Sequence, residues 1–253
     1  MSRSTVLPIA LAVASLLGCA GAQTKSPIVT RSEDGKSVSP SGDAAAKRGT
    51  SLVRFVNALP GSGKLTVHAD ERDLFSGIEF KAVTTYQELR DNLTKFPLRR
   101  DDAANEMATN SEAMTDGYRY TIVALSDEKG GASLRVFRDE VVPDSGKARI
   151  RLIHAAPGLA DVDLAVVGQR EPLFNDINYS MEAGFKDIDP TTVTFEIRHD
   201  KGQANLVRLP KMILAAGRAY TIILTGMAPN KLTAVTFDDT ATPGAIASVG
   251  GAR

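Results

Sequence analysis

Residues 53–61 read VRFVNALPG, and residues 150–158 read IRLIHAAPG, so the chain contains nearly the same nine residues twice. A second pair follows, DGYRYTIVAL at 116–125 and AGRAYTIILT at 216–225. The first pair lies 97 residues apart and the second 100. Self-similarity at this spacing indicates two copies of one fold. A residue type present in both copies is therefore expected to serve the fold, and function is expected where the copies differ.

Both copies have the periodicity of β-strands. Residues 65–70 (LTVHAD) and residues 161–166 (DVDLAV) alternate apolar with polar side chains after a Pro-Gly turn, and no segment has a sustained helical period. We therefore predict an all-β chain with two tandem Ig-like or Greek-key β-sandwich domains, at 51–143 and 147–240.

The middle of each copy is less regular. Residues 191–198 (TTVTFEIR) predict one strand, whereas Pro97 predicts that its counterpart at 93–98 is broken or lies at a sheet edge, because proline cannot donate a ladder hydrogen bond. Residues 99–116 have no apolar stripe and are expected to form a long loop.

Two shared positions carry polar groups with an expected structural role. Tyr120 and Tyr220 each follow a Gly turn and open a strand, which predicts a tyrosine corner whose hydroxyl bonds to the backbone upstream. Asn57 and His154 occupy the same place in the repeated motif. Both side chains can hydrogen-bond to loop backbone but only His is a good metal ligand, so the interchange favours a structural bond over a site.

The N-terminus predicts export and lipidation. Residues 1–18 combine Arg3 with an apolar run too short to span a bilayer, as in a lipoprotein signal peptide. Leu16-Leu-Gly-Cys19 resembles a lipobox, in which the thiol of Cys19, the only cysteine, receives the lipid anchor. Ala20 in the next position favours the outer membrane by analogy with enterobacterial sorting. Residues 19–50 are predicted to be a flexible, disordered tether and residues 241–253 a disordered tail.

The repeated motif, the alternating strand after it and the late G-x-x-Y-T resemble a bacterial envelope and secreted family known as domain of unknown function number 4397. Its signature is similar to R-F-[VL]-[HN]-A-[SA]-P, followed by a V-D-V-type strand. The second copy matches more closely, and the first departs at Leu59. The resemblance implies extracytoplasmic β-sandwich domains, often in tandem, and implies no activity.

Charge and composition exclude several classes of function. Thirty basic and thirty acidic residues give a net charge of zero, which disfavours nucleic-acid binding, and tryptophan is absent. Gly61-Ser-Gly-Lys64 lacks the other residues of a phosphate-binding loop. His68 and His199, the two histidines besides His154, have no metal-ligand spacing, and no nucleophile elbow is present. We therefore predict no catalytic, cofactor-binding or metal-binding residue.

One group of carboxylates leaves a ligand hypothesis open. Asp161, Asp163, Asp187 and Asp189 could gather around calcium, but a solvated strand face plus turn residues is the favoured interpretation, because no EF-hand or other dense loop is present.

The sequence thus predicts a lipid-anchored cell-envelope protein of unknown molecular function that is not an enzyme. It would act as a structural or protein-interaction module, with an envelope protein or polysaccharide as partner. Two alternatives remain: a small-ligand or polysaccharide binder, with or without calcium, and an unrecognised hydrolase. The sequence does not fix the oligomeric state.

Overall fold

The computed structural model describes residues 49–90, 92–139, 146–199, 205–228 and 231–239. The predicted signal peptide, Cys19, the predicted tether up to Arg48 and the predicted tail lie outside these residues. The described residues form eighteen β-strands, and they include no helix that is long and apolar enough to cross a membrane. The predicted all-β sandwich class is confirmed.

The first half of the structure has eight strands in two four-stranded sheets. The inner sheet has the order β4-β1-β7-β8 and the outer sheet the order β3-β2-β5-β6. These strands are β1 Thr50–Asn57, β2 Leu65–Ala69, β3 Arg72–Ile78, β4 Gln87–Arg90, β5 Leu93–Arg100, β6 Glu106–Ala113, β7 Arg119–Ser126 and β8 Ala132–Asp139.

The second half repeats this topology. Its inner sheet is β12-β9-β17-β18 and its outer sheet β11-β10-β14-β15, with an added ribbon β13-β16. These strands are β9 Ala148–His154, β10 Asp161–Val166, β11 Phe174–Asn178, β12 Glu182–Ile188, β13 Thr191–Val193, β14 Phe195–His199, β15 Asn205–Arg208, β16 Met212–Leu214, β17 Ala219–Met227 and β18 Lys231–Asp238.

The sequence repeat is preserved in strand register. β1 and β7 run parallel with Leu52 opposite Arg119, and β9 and β17 run parallel with Arg149 opposite Ala219. These pairs are related by the same offsets of 97 and 100 residues that relate the two sequence motifs. The motif therefore fixes the central parallel pair of each inner sheet.

Three apolar clusters hold the molecule together. One lies inside each sandwich, with Phe55 and Phe96 in the first and Leu164 and Phe195 in the second. The third joins the inner sheets of the two halves and contains Val56, Ala58, Val123, Leu125, Phe137, Ile153, Ala155, Ile223, Val235 and Phe237. The two halves thus form one compact unit, stacked through their inner sheets.

Three expectations for the middle strands are wrong. β5 runs unbroken through Pro97 in the interior of its sheet. Its pairing with β2 ends at Leu98, so the missing N–H of Pro97 interrupts no residue pair of that ladder. Most of the expected 99–116 loop forms β5's partner β6, a half-exposed edge strand whose polar side chains hide its periodicity. The single strand expected at 191–198 divides at Thr194, whose carbonyl accepts a hydrogen bond from Val167.

Candidate functional site

Four buried charges lie where the two inner sheets meet. Arg54, Asp139, Arg151 and Asp239 are each at most 4% exposed. The Nη2 atom of Arg54 donates to Oδ1 of Asp239, and the Nη2 atom of Arg151 donates to Oδ1 of Asp139. Each arginine is therefore paired with an aspartate of the opposite half. We call these four residues the interface charge cluster.

Threonine hydroxyls orient both arginines within their own half. Nε of Arg54 donates to Oγ1 of Thr121, and Nε of Arg151 donates to Oγ1 of Thr221, both at 2.8 Å. Thr121 donates in turn to Asp139 and Thr221 to Asp239. Because each residue is the repeat counterpart of another, the interface charge cluster has approximate two-fold symmetry.

Aromatic rings enclose the guanidinium groups. Arg54 lies between the rings of Tyr86 and Phe237, at 4.7 and 4.4 Å from their centroids, and Arg151 lies 4.6 Å from the ring of Phe185. Such cation–π contacts stabilise a desolvated cation.

The symmetry breaks at the side chain that adds a further hydrogen bond to the cluster in each half. In the first half the Tyr86 hydroxyl donates to Oδ2 of Asp139 at 2.7 Å. In the second half the repeat counterpart of Tyr86 is Phe185, which has no hydroxyl. Glu182 instead accepts from Nη1 of Arg151 at 3.0 Å. Each half thus supplies a different extra group to the same cluster.

Arg54, Arg151 and Asp139 remain ionised in spite of their burial. Burial alone would lower the pKa of Arg54 and of Arg151, but the carboxylates of Asp139 and Asp239 outweigh it and raise both. Burial would likewise raise the pKa of Asp139, but Arg151, Arg54 and hydrogen bonds from Tyr86 and Thr121 hold it below its usual range. The cluster is therefore a mutually dependent set of ion pairs.

Asn57 and His154 make equivalent bonds at the ends of β1 and β9. Leu59 N donates to Oδ1 of Asn57 at 3.1 Å, and Ala156 N donates to Nδ1 of His154 at 3.3 Å. Nδ2 of Asn57 also donates to the Ile78 carbonyl at 3.0 Å. Both side chains thus hold the turn that follows the strand.

His154 is fully buried and is less well satisfied than Asn57. Its Nε2 atom has no hydrogen-bond partner within normal distance, and its ring makes an edge contact with Tyr179. Burial lowers the pKa of His154 to about 4, and the Ala160 backbone only partly opposes this. His154 is therefore neutral at physiological pH.

The two tyrosines bond to backbone amides five residues upstream. The Tyr120 hydroxyl accepts from Thr115 N at 3.1 Å, and the Tyr220 hydroxyl accepts from Ala215 N at 3.0 Å. Gly117 and Gly217 within these turns have φ values of 76° and 74°, a conformation that favours glycine. The two corners have the same construction.

The four aspartates considered for calcium do not come together. Asp187 pairs with Arg149 at 2.8 Å and Asp189 with Lys147 at 2.6 Å. Asp163 accepts a hydrogen bond from Asp176 N. The part of the chain that the structure describes contains no group of three or more His, Cys, Asp or Glu residues placed to hold a metal ion.

Sequence reasoning missed the interface charge cluster. The signal was present, since Arg, Thr and Asp occur in both copies at Arg54/Arg151, Thr121/Thr221 and Asp139/Asp239. A strand that carries apolar residues on both faces is covered on both faces, one within the sandwich and one beyond it. A polar residue kept on such a strand in both copies is therefore expected to be buried and paired. That the partner of each residue lies in the other copy could not be read from either copy alone.

Comparison with known proteins finds similarity to one family model. The model of DUF4397, a domain of unknown function, matches residues 51–165. Residues 51–165 are thus similar to this family. The DUF4397 match covers the whole first half, crosses into the second and ends within β10. It confirms the resemblance expected from the repeated motif.

Two solved structures illustrate how distant the structural similarities are. The C-terminal domain of AlgF from P. aeruginosa is 19% identical with a TM-score of 0.31, covering 37% of this chain and 98% of that one. CBMbc, a family CBM26 module of Eubacterium rectale Amy13K in complex with maltoheptaose, is 11% identical with a TM-score of 0.23, covering 77% and 98%. No curated protein matches the chain. Similarities at this level carry no information on function.

Proposed function

We propose that this chain is a lipid-anchored protein of the bacterial cell envelope that acts as a structural or interaction module and not as an enzyme. The interface charge cluster carries this proposal. It joins two equivalent sandwiches into one body and uses buried charge to hold them, so the surfaces of both halves are presented in a fixed relation.

The placement of acid–base groups supports a non-catalytic role. The side chains of Arg54, Arg151, Asp139 and Asp239 are at most 3% exposed and bond to one another, so a substrate in solution cannot reach them. His154 is fully buried and neutral, with one ring nitrogen accepting from a backbone amide. General acid–base catalysis needs such a group within hydrogen-bond reach of the reacting atom.

The proposed location rests on the sequence before the fold. Cys19 ends an apolar run after a small residue, and 28 mostly polar residues at 23–50 separate it from the first motif strand. Diacylglyceryl and amide-linked chains on Cys19 would anchor the protein to the membrane, because several acyl chains bind stably where one does not.

Membrane fractionation tests the anchor. We expect the wild-type chain to sediment with membranes and to accumulate as an uncleaved precursor when lipoprotein signal peptidase is inhibited with globomycin. Cys19→Ser should release the chain into the soluble fraction, and Ala22→Ser, a matched change beyond the lipobox, should not. A Cys19→Ser protein that stays with the membrane would contradict the anchor.

Cross-linking of the native lipoprotein in its own envelope tests the interaction role. We expect one or a few specific partners rather than a substrate turned over by the protein. Hydrolysis of an ester or glycoside by purified wild-type protein, abolished by a single substitution in the described residues, would contradict the proposal and favour the hydrolase alternative.

A further inference from the structure

The two halves differ most plainly in the connection after their second strand. In the first half, β2 and β3 are joined by Asp70 and Glu71 alone, whereas residues 167–173 join β10 to β11 in the second. We call residues 167–173 the β10–β11 loop. Loops carried on a rigid scaffold are common binding elements, and here the scaffold is otherwise duplicated.

The β10–β11 loop is held in place by hydrogen bonds at several points. Its first residue, Val167, donates to the Thr194 carbonyl at 2.9 Å, and its last, Leu173, donates to the Leu164 carbonyl at 2.7 Å. Arg198 donates to the carbonyls of Gln169 at 2.9 Å and Arg170 at 3.3 Å. A loop ordered in advance loses little entropy when it binds a ligand.

A polar groove of about 680 Å³ lies beside this loop on the outer face of the outer sheet. Val162 and Leu164 face the core, so Asp163 between them faces the groove, and Glu196 and Arg198 face it from β14. Asp163 and Glu196 are each only 6% exposed. Arg198 also forms an ion pair with Glu196 beneath the loop.

A second groove of about 570 Å³ lies on the other side of the same loop. Gln169 and Glu171 line both grooves, and Lys186, Thr191 and Thr192 add donors and hydroxyls to the second. The side chains of Gln169, Arg170 and Glu171 are exposed. The loop therefore presents polar side chains to both sides.

The lining of the first groove selects a class of ligand. It contains three carboxylates, two guanidinium groups and one amide, so acceptors and donors are both present and the excess charge is a single negative one. An anionic ligand would meet three carboxylates, with Arg198 already paired to Glu196. Hydroxyl groups donate to carboxylates and accept from guanidinium and amide groups, so a neutral polyhydroxylated ligand fits both sets.

We propose that the β10–β11 loop and its two flanking grooves form a binding site for a neutral glycan. The inference names a partner class for the interaction module proposed above and rests on that function. The site belongs to the second half alone, since the first half has only a two-residue turn at this place.

Calorimetric titration of the purified full-length lipoprotein in detergent tests the site. The probes are neutral gluco- and manno-oligosaccharides, an oligogalacturonate of equal length and a chitosan oligomer. We expect a neutral oligosaccharide to bind, and Gln169→Ala and Glu171→Gln each to weaken binding about tenfold, as expected for the loss of one hydrogen bond to a ligand. Glu71→Ala, in the corresponding turn of the first half, should leave the affinity unchanged.

Each result decides the proposal. Failure of every neutral oligosaccharide to bind, preference for the anionic or cationic oligomer, or equal affinity of the Gln169→Ala and wild-type proteins would overturn it. Melting curves of each variant without ligand separate lost binding from lost folding. The membrane anchor is measured independently by fractionation of Cys19→Ser, so failure of the glycan site and failure of the proposed envelope role are distinguishable.

Discussion

Arg54 and Asp239 form a buried ion pair across the interface between the halves, although 185 residues separate them in the chain. The repeat counterparts of these two residues, Arg151 and Asp139, form the matching pair in the opposite direction. Each half therefore supplies one arginine and one aspartate, and the contacts within a half are longer, at 3.6 Å between Arg54 and Asp139 and 3.9 Å between Arg151 and Asp239.

The first prediction concerns this ion pair. Asp239→Asn should lower the free energy of unfolding by about 3 kcal/mol, because it leaves the buried Arg54 with only Asp139, 3.6 Å away, as a carboxylate partner. Urea denaturation measures the change. The neighbouring Asp238→Asn is the control, since Asp238 pairs with Arg218 at a half-exposed site and should contribute at most about 1 kcal/mol. Equal effects of the two substitutions would refute the structural role of the cluster.

The second prediction concerns the tyrosine corners. Tyr120→Phe and Tyr220→Phe should each lower stability by about 1–2 kcal/mol, because the amides of Thr115 and Ala215 lose their acceptor. Thermal melts and urea curves give the values. Tyr118→Phe is the control, because the contact of Tyr118 with Arg138 is made by the ring face, which phenylalanine keeps. Unchanged stability in both corner variants would contradict the stabilising role of the two tyrosine hydroxyls.

The third prediction concerns the pH dependence of stability. The pKa of His154 is about 4 in the folded protein and about 6.5 in an unfolded chain, so the unfolded state binds more protons between these values. The contribution of His154 is complete above pH 6.5 and is lost as pH falls through 4, amounting to about 3 kcal/mol.

His154→Asn isolates this effect. Asparagine occupies the counterpart position in the first half, where Asn57 accepts from the same type of turn amide. The variant should therefore keep the turn and lose less stability than the wild type between pH 6.5 and 4, whereas other acid-sensitive groups such as Asp139 act equally in both. Parallel pH profiles for the two proteins would contradict the buried, neutral state of His154.

How far the sequence predicts the structure depends on which partner a residue needs. Tyr120 bonds within five residues of itself and Asn57 within two, so local spacing was enough to expect a turn-holding role for each. β6 escaped detection because an edge strand is half solvated, so its residues need not alternate.

Local spacing does not predict pairs of residues that lie far apart in the chain. Arg54 meets Asp239 only because the inner sheets stack. Strand periodicity does not show which sheet of one copy packs against the other copy. The division of the 191–199 segment at Thr194 likewise depends on Val167 of the β10–β11 loop. A repeat comparison identifies shared polar residues, and the structure is needed to show that they pair between copies.

The last prediction concerns the union of the two halves. A protease site inserted between Asp139 and Gly146 should allow cleavage into two fragments that still elute together in size-exclusion chromatography at neutral pH. The ten buried apolar residues between the inner sheets and the two ion pairs hold the fragments together without the covalent link. The double variant Asp139→Asn, Asp239→Asn should separate after the same cleavage, because both arginines then lose their buried carboxylates. Asp238→Asn, cleaved identically, should stay associated. Separation of the cleaved wild-type halves would show that each sandwich is independent and that the swapped pairs do not hold the molecule together.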